Sequence, residues 1–427
     1  MFKSKSSRGT AREQTKEQAN EQANEQAVDK KAFVFGLMSV FLCGIGFSII
    51  APVVPFLVQP YTNQGNQAVV VTLLTSVYAL CVFLAAPGLG ALSDRYGRRP
   101  LLFICLLGSA AGYFIFGLGG ALWVLFAGRI IEGIAGGVIS TLFAYFADIT
   151  PAAQRTKYFG WMSAAVGAGS AMGPAIGGLL AKFGYSVPMY AAAAITVLNA
   201  GAGFFLMPES LGRENRLSKI TAARLNPLAQ LFHVLTAKNL SRLLISAFLI
   251  WVPNGSLQAV LSQFTVDTFH WAPALIGLMF SIMGIQDIVS QGLIMPKLLK
   301  KLSDAQIAIL GMASEIAGYG FIAASALFSF YPLMIAGMFI FGFGDSVFGP
   351  AFNGMLSKSA EPGGQGRIQG GSQSIQALAR IIGPVIGGQI YVSLGHASPA
   401  LMGMLLIAGA IIVMYRGKLV FRTAEGP

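Results

Sequence analysis

Gly90-Ala91-Leu92-Ser93-Asp94-Arg95-Tyr96-Gly97-Arg98-Arg99 stands between two apolar runs, Ala68 to Leu89 and Leu101 to Leu118. Each run is long enough to cross a hydrocarbon core of ~30 Å as a helix. Glycines at 90 and 97 permit close backbone approach or a positive φ. Asp94 lies where it can meet Arg95, Arg98 and Arg99 or a neighbouring helix end. So dense a charged turn between two membrane spans is either a topology anchor or a moving part, and spacing alone leaves both open.

Apolar runs of this length recur over almost the whole chain. Of its 427 residues 55% are apolar and only 11% charged, with a mean hydropathy of +0.66. A soluble protein of this size carries about 25% charged residues. Spans are expected near 33–57, 69–90, 101–118, 121–146, 158–180, 187–207, 241–264, 273–295, 305–326, 333–356, 370–394 and 399–416. The expected fold is therefore an all-α membrane protein of twelve transmembrane helices.

Lysine and arginine placement orients these helices. Of 29 basic residues, 26 fall in, or at the edges of, the two tails and the loops after even-numbered spans. Arg129 and Arg380 lie inside spans, and Lys182 alone falls in an alternate loop. Both termini are thus expected in the cytoplasm, in a multi-pass protein of the inner (plasma) membrane. The net charge of +12 then reads as a topology signal, and no nucleic-acid partner is expected. Cys43, Cys81 and Cys105 fall within spans as packing residues, so no disulfide framework follows. The polar residues 1–31, with their Glu-Gln-Ala-Asn repeat at 17–24, read as a disordered cytoplasmic tail without a cleavable signal.

The polar stretch 209–240 divides the chain into two six-helix bundles, 32–208 and 241–416, ahead of a short cytoplasmic tail at 417–427. The bundles echo one another. Gly173-Pro174-Ala-Ile-Gly177-Gly178 in span 5 matches Gly383-Pro384-Val-Ile-Gly387-Gly388 in span 11. A weaker echo of the decapeptide follows span 8 in Gly292, Pro296, Lys297, Lys300 and Lys301. Duplicated bundles with a site between them are a transporter arrangement. The paired Gly-Pro segments can serve as a hinge or interface between the halves, or simply as close helix packing.

At these residues the chain resembles the major facilitator superfamily, in its twelve-span drug/proton antiporter branch. Gly90, Asp94, Gly97, Arg98 and Arg99 fit the family's loop motif, and Arg129-Ile-Ile-Glu132-Gly133 fits its arginine motif. Ala168 to Gly178 fits the antiporter motif, and Pro52-Val-Val-Pro55 resembles the paired prolines of span 1. Ala147-Asp148-Ile-Thr-Pro, Leu206-Met-Pro-Glu209-Ser210, Asn226-Pro227-Leu228 and Phe269-His270-Trp271 are most similar to tetracycline/proton antiporters. Such pumps carry aspartates in spans 1 and 3, where this chain reads Phe41-Leu-Cys-Gly-Ile-Gly46 and Ala110-Ala-Gly112-Tyr113. Asp287 stands in place of their span 8 histidine, and Glu315 in place of their span 9 aspartate. The resemblance implies efflux, and leaves tetracycline and another amphipathic cargo both open.

Six ionisable residues fall inside spans: Arg129, Glu132, Asp287, Glu315, Asp345 and Arg380. Each costs about 2.5–3.5 kcal/mol at mid-bilayer on insertion scales, so such residues face water, partners or cargo. Arg129 and Glu132 share a helix face three residues apart, as a static pair or as an arginine tuning a protonatable carboxylate. Asp287 and Glu315, then Asp345 beside the expected Gly349-Pro350 break, are the proton carriers expected from residue type, or else permanent hydrogen-bond partners of neighbouring helices. Cargo contacts are expected at Tyr78, Asn254, Gln258, Asn353, Gln373, Gln376 and Arg380. Asn254, Gln258 and Ser262 recur every four residues, and Gln369, Gln373 and Gln376 share a face with Arg380. Gating falls to Gly90, Asp94, Arg95, Gly97, Arg98, Arg99, Gly173, Pro174, Gly177 and Gly178.

His233, His270 and His396 show no metal-ligand spacing. No lysine of a phosphate loop follows a glycine-rich turn. The expectation is a non-enzymatic, monomeric secondary transporter that meets lipid and a small-molecule cargo, with the proton as coupling ion and no other cofactor. It would export amphipathic molecules by alternating access. Proton-coupled uptake of a metabolite, or a non-transporting receptor or scaffold, are the alternatives.

Overall fold

The computed structural model describes residues 30–63, 65–151, 154–220, 225–226, 241–358 and 365–424. The expected tail at 1–29 and most of the central stretch after residue 226 lie outside the described residues. Twelve helical segments run back and forth: α1 (Lys30–Ser48), α2 (Gln67–Tyr96), α3 (Arg98–Leu118), α4 (Leu122–Ile149), α5 (Arg155–Leu180), α6 (Val187–Leu206), α7 (Ser241–Phe269), α8 (Pro273–Leu299), α9 (Asp304–Phe328), α10 (Tyr331–Lys358), α11 (Gln365–Leu394) and α12 (Ser398–Ala424). Ten are long and apolar enough to span a membrane, and α1 and α12 contribute shorter apolar stretches. The chain is a multi-pass membrane protein. After α1 it bends and resumes as one more turn, Val54–Val58. α4 is interrupted between Ile134 and Val138, and α8 widens into π-helix at Ser290–Ile294.

The decapeptide is more helical than its charge density predicts. α2 continues to Tyr96 and α3 begins at Arg98, so the connection narrows to Gly97 at φ +110°. Residues 91–96 contain no helix breaker, and one glycine in a conformation closed to side chains completes the reversal. Gly90 therefore sits inside α2, where an added Cβ would meet nothing within 4 Å. The expected break at Gly349-Pro350 is also absent, because α10 runs unbroken through Pro350. Internal prolines persist at 87, 174, 253 and 384 as well. In lipid, neighbouring helices can satisfy the backbone groups that such prolines free.

Apolar side chains bury in separate clusters. One gathers residues of α7 to α12, among them Leu244, Met312, Phe348 and Ile407, and reaches across to Ala68 of α2. Two others draw their residues from α1 to α6 and the short segments that join or follow them. The repeated Gly-Pro segments explain how these bundles meet. Gly173 and Gly177 of α5 lie on Ser48 and Ile49 at the end of α1, and Gly383 and Gly387 of α11 lie on Val252 and Ser256 of α7. The last glycine of each segment faces the opposite bundle, Gly178 on Pro273 of α8 and Gly388 on Thr72 of α2. A Cβ at Gly178 would come within 2.4 Å of the Pro273 carbonyl oxygen, so a side chain there would push the bundles apart.

Candidate functional site

From α4 to α9 the intramembrane charges form a string of hydrogen bonds, ring contacts and electrostatic neighbours that passes from one bundle to the other. In α4, Arg129 Nη1 donates to Glu132 Oε2 at 2.6 Å, with the residues 7% and 2% exposed. The guanidinium lies over the Tyr78 ring of α2, 4.5 Å from its centroid, and Phe116 of α3 flanks it at 5.6 Å. Tyr78 is within electrostatic range of Arg380 on α11, and Arg380 in turn of Asp345 on α10. Asp345 Oδ1 accepts from Asn254 Nδ2 of α7 at 3.0 Å, and Asn254 Oδ1 accepts from the Tyr319 hydroxyl of α9 at 3.0 Å. Glu315, one turn before Tyr319, is fully buried, and neither of its oxygens has a hydrogen-bond partner among the described residues. Asp287 of α8 lies within range of Asp345, and its Oδ1 accepts from Gln291 at the π-helical turn, 2.8 Å away.

Asp345 thus gains its partner from α7, where sequence reading looked to unwound backbone beside Pro350. Asp345 and Arg380 keep exposed surface between the surrounding helices, as do Gln258, Asn353 and Gln373, while Asn254, Gln376 and Tyr78 are partly buried. Asn353 stands two turns beyond Asp345 on α10. Ser262, in register with Asn254 and Gln258, is buried and donates to the Ala51 carbonyl of the opposite bundle at 2.7 Å. It closes an interface instead of lining the exposed surface. Tyr319 was legible only as one aromatic among many, although its place one turn after Glu315 was the available signal.

At the other candidate region, Gly97 turns the chain under a cage of charges. Arg98 Nη1 reaches Asp94 Oδ1 at 2.5 Å and Ser93 at 3.1 Å, while its Nε donates to Asp148 Oδ2 at the end of α4, 3.0 Å away. Glu209 accepts from the backbone N–H of Arg98 at 2.9 Å and of Arg99 at 3.3 Å. It caps α3 from beyond the end of α6, where helix dipole and free N–H groups favour a carboxylate. Arg216 stands 3.8 Å from Glu209, and Leu217 N–H donates to the Asp94 carbonyl at 2.9 Å. The start of the central stretch is therefore folded onto the turn. Arg99 donates to the Phe204 carbonyl at 2.5 Å, and Arg95 lies over the ring of Tyr96. Of the expected gating residues, Gly97, Asp94, Arg98 and Arg99 join this cage, and Arg95 and Gly90 stand outside it.

Among the described residues, contacts between the bundles gather toward the end that carries Val54–Val58. Ser76 of α2 donates to the Ile381 carbonyl of α11 at 2.9 Å, and the Ala175 N–H of α5 donates to Ser281 of α8 at 3.1 Å. Gly277 seats on the Pro174 carbonyl, and Gly284 on Ala171. Sequence reading found Gly173 to Gly178 but missed their hydroxyl partners, because serine and threonine are common in membrane helices and carry no distinguishing spacing.

Known proteins share this organisation. Residues 36–384 and 243–423 match the family model of the Major Facilitator Superfamily. Tetracycline resistance protein, class C, of Escherichia coli is 35% identical over 385 residues, covering 90% of this chain and 94% of that protein. Multidrug resistance protein 2 of Bacillus subtilis (strain 168) is 28% identical, over 90% of this chain and 95% of that protein. Among solved structures, the human organic anion transporter MFSD10 (TETRAN) aligns with a TM-score of 0.68 at 22% identity, over 91% of this chain and 100% of that one. A peptide transporter POT in complex with sulfate gives 0.74 at 13% identity, over 92% and 94% of the two chains. Match, identity and architecture agree: this chain belongs to the major facilitator superfamily and is a transporter, not an enzyme.

Proposed function

We propose that this protein exports an amphipathic small molecule across the plasma membrane in exchange for protons. The observation that carries the reading is the string of ionisable side chains crossing between the bundles, with an accessible acid at Asp345, a buried one at Glu315 and Asp287 within range. An acid in such a place loads or sheds a proton when water, cargo or a neighbouring charge reaches it. One charge moving down 100 mV releases roughly 2.3 kcal/mol before any pH gradient is added. The tetracycline resistance and multidrug resistance proteins to which this chain is similar support efflux as the direction.

The bias of basic residues supports a cytoplasmic Gly97 end and cytoplasmic termini. The bundles then meet at the outer end, leaving Asp345 and Arg380 accessible from the inner one. Rocking the bundles would close the inner end, with the Gly97 cage as a latch and the glycine contacts of α5 and α11 as the bearing surfaces. Arg129 and Glu132 hold the α4 side of the string. Removing one member of such a buried pair costs about 3–5 kcal/mol, so variants there test folding before transport. The accessible acid is the better probe.

Inverted vesicles from a pump-deficient host test the proposal, with tetracycline and ethidium as cargoes. Uptake should require an acidic lumen, collapse with a protonophore, and fall at least tenfold in Asp345→Asn and Glu315→Gln at equal expression. Accumulation by intact energised cells would reverse the direction, and transport indifferent to the gradient would remove proton coupling.

A further inference from the structure

Asn254 sits where three helices meet, and its amide has one donor end and one acceptor end. The acceptor end is occupied by Tyr319, whose hydroxyl donates to Oδ1 at 3.0 Å. The donor end therefore faces Asp345, which accepts from Nδ2 at 3.0 Å. Tyr319 has little room to move. It is fully buried, packs edge-on against Phe341 with centroids 5.1 Å apart, and occupies space that a Cβ on Gly403 would invade at 2.7 Å.

We propose that Tyr319 and Asn254 are positioning residues for Asp345: the buried phenol of α9 fixes the α7 amide so that its N–H end faces the α10 carboxylate and opposes its protonation. This rests on the proton-exchange reading above and says how that site is tuned. A donor beside a carboxylate favours the ionised form, whereas a protonated Asp345 would present an O–H to an N–H. To accept that proton the amide must turn by half a revolution. Tyr319 must then receive from Nδ2 and send its own O–H elsewhere. Glu315, one turn away on α9 with both oxygens unpartnered among the described residues, is the acceptor on that side. Asn254 already approaches Glu315, so one amide rotation would link a proton arriving at Asp345 to an exchange of the donor that faces Glu315, from the amide to the phenol. The other charges in range of Asp345 are Asp287 from α8, Glu315 from α9 and Arg380 from α11. Glu315 also lies in range of the Tyr319 hydroxyl and of Asn254, so Asn254→Ala, which leaves the hydroxyl in place, is the variant that isolates the amide.

The test is an infrared titration of the purified protein, following the carboxylic-acid band that Asp345→Asn removes. Tyr319→Phe keeps the ring and its packing but frees the amide. Its midpoint should move up by about one pH unit, because the bond it weakens is one to a charged group. Asn254→Ala should move it in the same direction, which keeps the test decisive if Tyr319→Phe folds poorly. An unchanged or lowered midpoint in a folded Tyr319→Phe, or in Asn254→Ala, overturns the proposal. If the midpoints rise and the pH profile of vesicle transport rises with them, both readings stand. If they rise while transport ignores pH, proton exchange fails and the tuning of Asp345 survives.

Discussion

Gly97 and Glu209 show what one residue decides in this fold. With φ at +110° and ψ at 159°, Gly97 holds a conformation almost confined to glycine, and a Cβ there would come within 2.2 Å of Glu209 Oε2. Backbone strain of this kind costs about 1–3 kcal/mol before the clash is added. Losing the charge of Glu209 weakens a helix cap and a pairing with Arg216, worth about 1 kcal/mol. Gly97→Ala should therefore lower the thermal midpoint of the purified protein clearly more than Glu209→Gln, and should remove most vesicle transport. Equal shifts in the two variants would mean that the turn is not the strained point. The importance of Gly97, Asp94 and Arg98 could be read from the sequence because they are neighbours. Glu209 could not, since it reaches the α3 N-terminus from 111 residues away and no local pattern announces a cap supplied by a distant segment.

Helix periods and lengths were the most legible elements, because twelve apolar stretches separated by turn residues leave little freedom in lipid. Their ends were less so. α2 outlasts its expected span, 69–90, by six residues, since Ala91 to Tyr96 contain no helix breaker and Asp94 and Arg98 pair within a turn. The ends also carry a relation hidden from sequence: each bundle pins the start of its third helix to the end of its fourth, with opposite polarity. Arg98 at the head of α3 meets Asp148 at the foot of α4, and Asp304 at the head of α9 meets Lys358 at the foot of α10, 2.7 Å away. Exposure decides their worth. The Lys358 side chain is 77% exposed, against 11% for Arg98 and 22% for Asp148. A solvated pair contributes at most about 1 kcal/mol, so Lys358→Ala should hardly move the thermal midpoint. Asp148→Asn should lower it measurably, because Arg98 and Ser210 both donate to the lost charge. A larger shift for Lys358→Ala would show that exposure does not rank these pins.

At the scale of the molecule, the repeated Gly-Pro segments announced two related bundles, but which end is closed depends on contacts between residues hundreds of positions apart. Ser262 and Ala51 are 211 residues apart in sequence and form one of these contacts. Its chemistry follows from proline. Pro55 has no N–H, so the Ala51 carbonyl cannot receive the helical bond due from four residues on, and the Ser262 hydroxyl of the other bundle supplies one. Opening this end would exchange that bond for water, a small net cost suited to an interface that would part in the proposed exchange cycle. If the bundles rock, Ala51 and Ser262 must separate each time cargo leaves. In a background where the free Cys43, Cys81 and Cys105 are replaced, Ala51→Cys with Ser262→Cys should form a disulfide under mild oxidant and stop transport. Reductant should restore it, and each single variant should transport under both conditions. Full transport by the cross-linked protein would show that these residues never part and that the bundles do not alternate about this end.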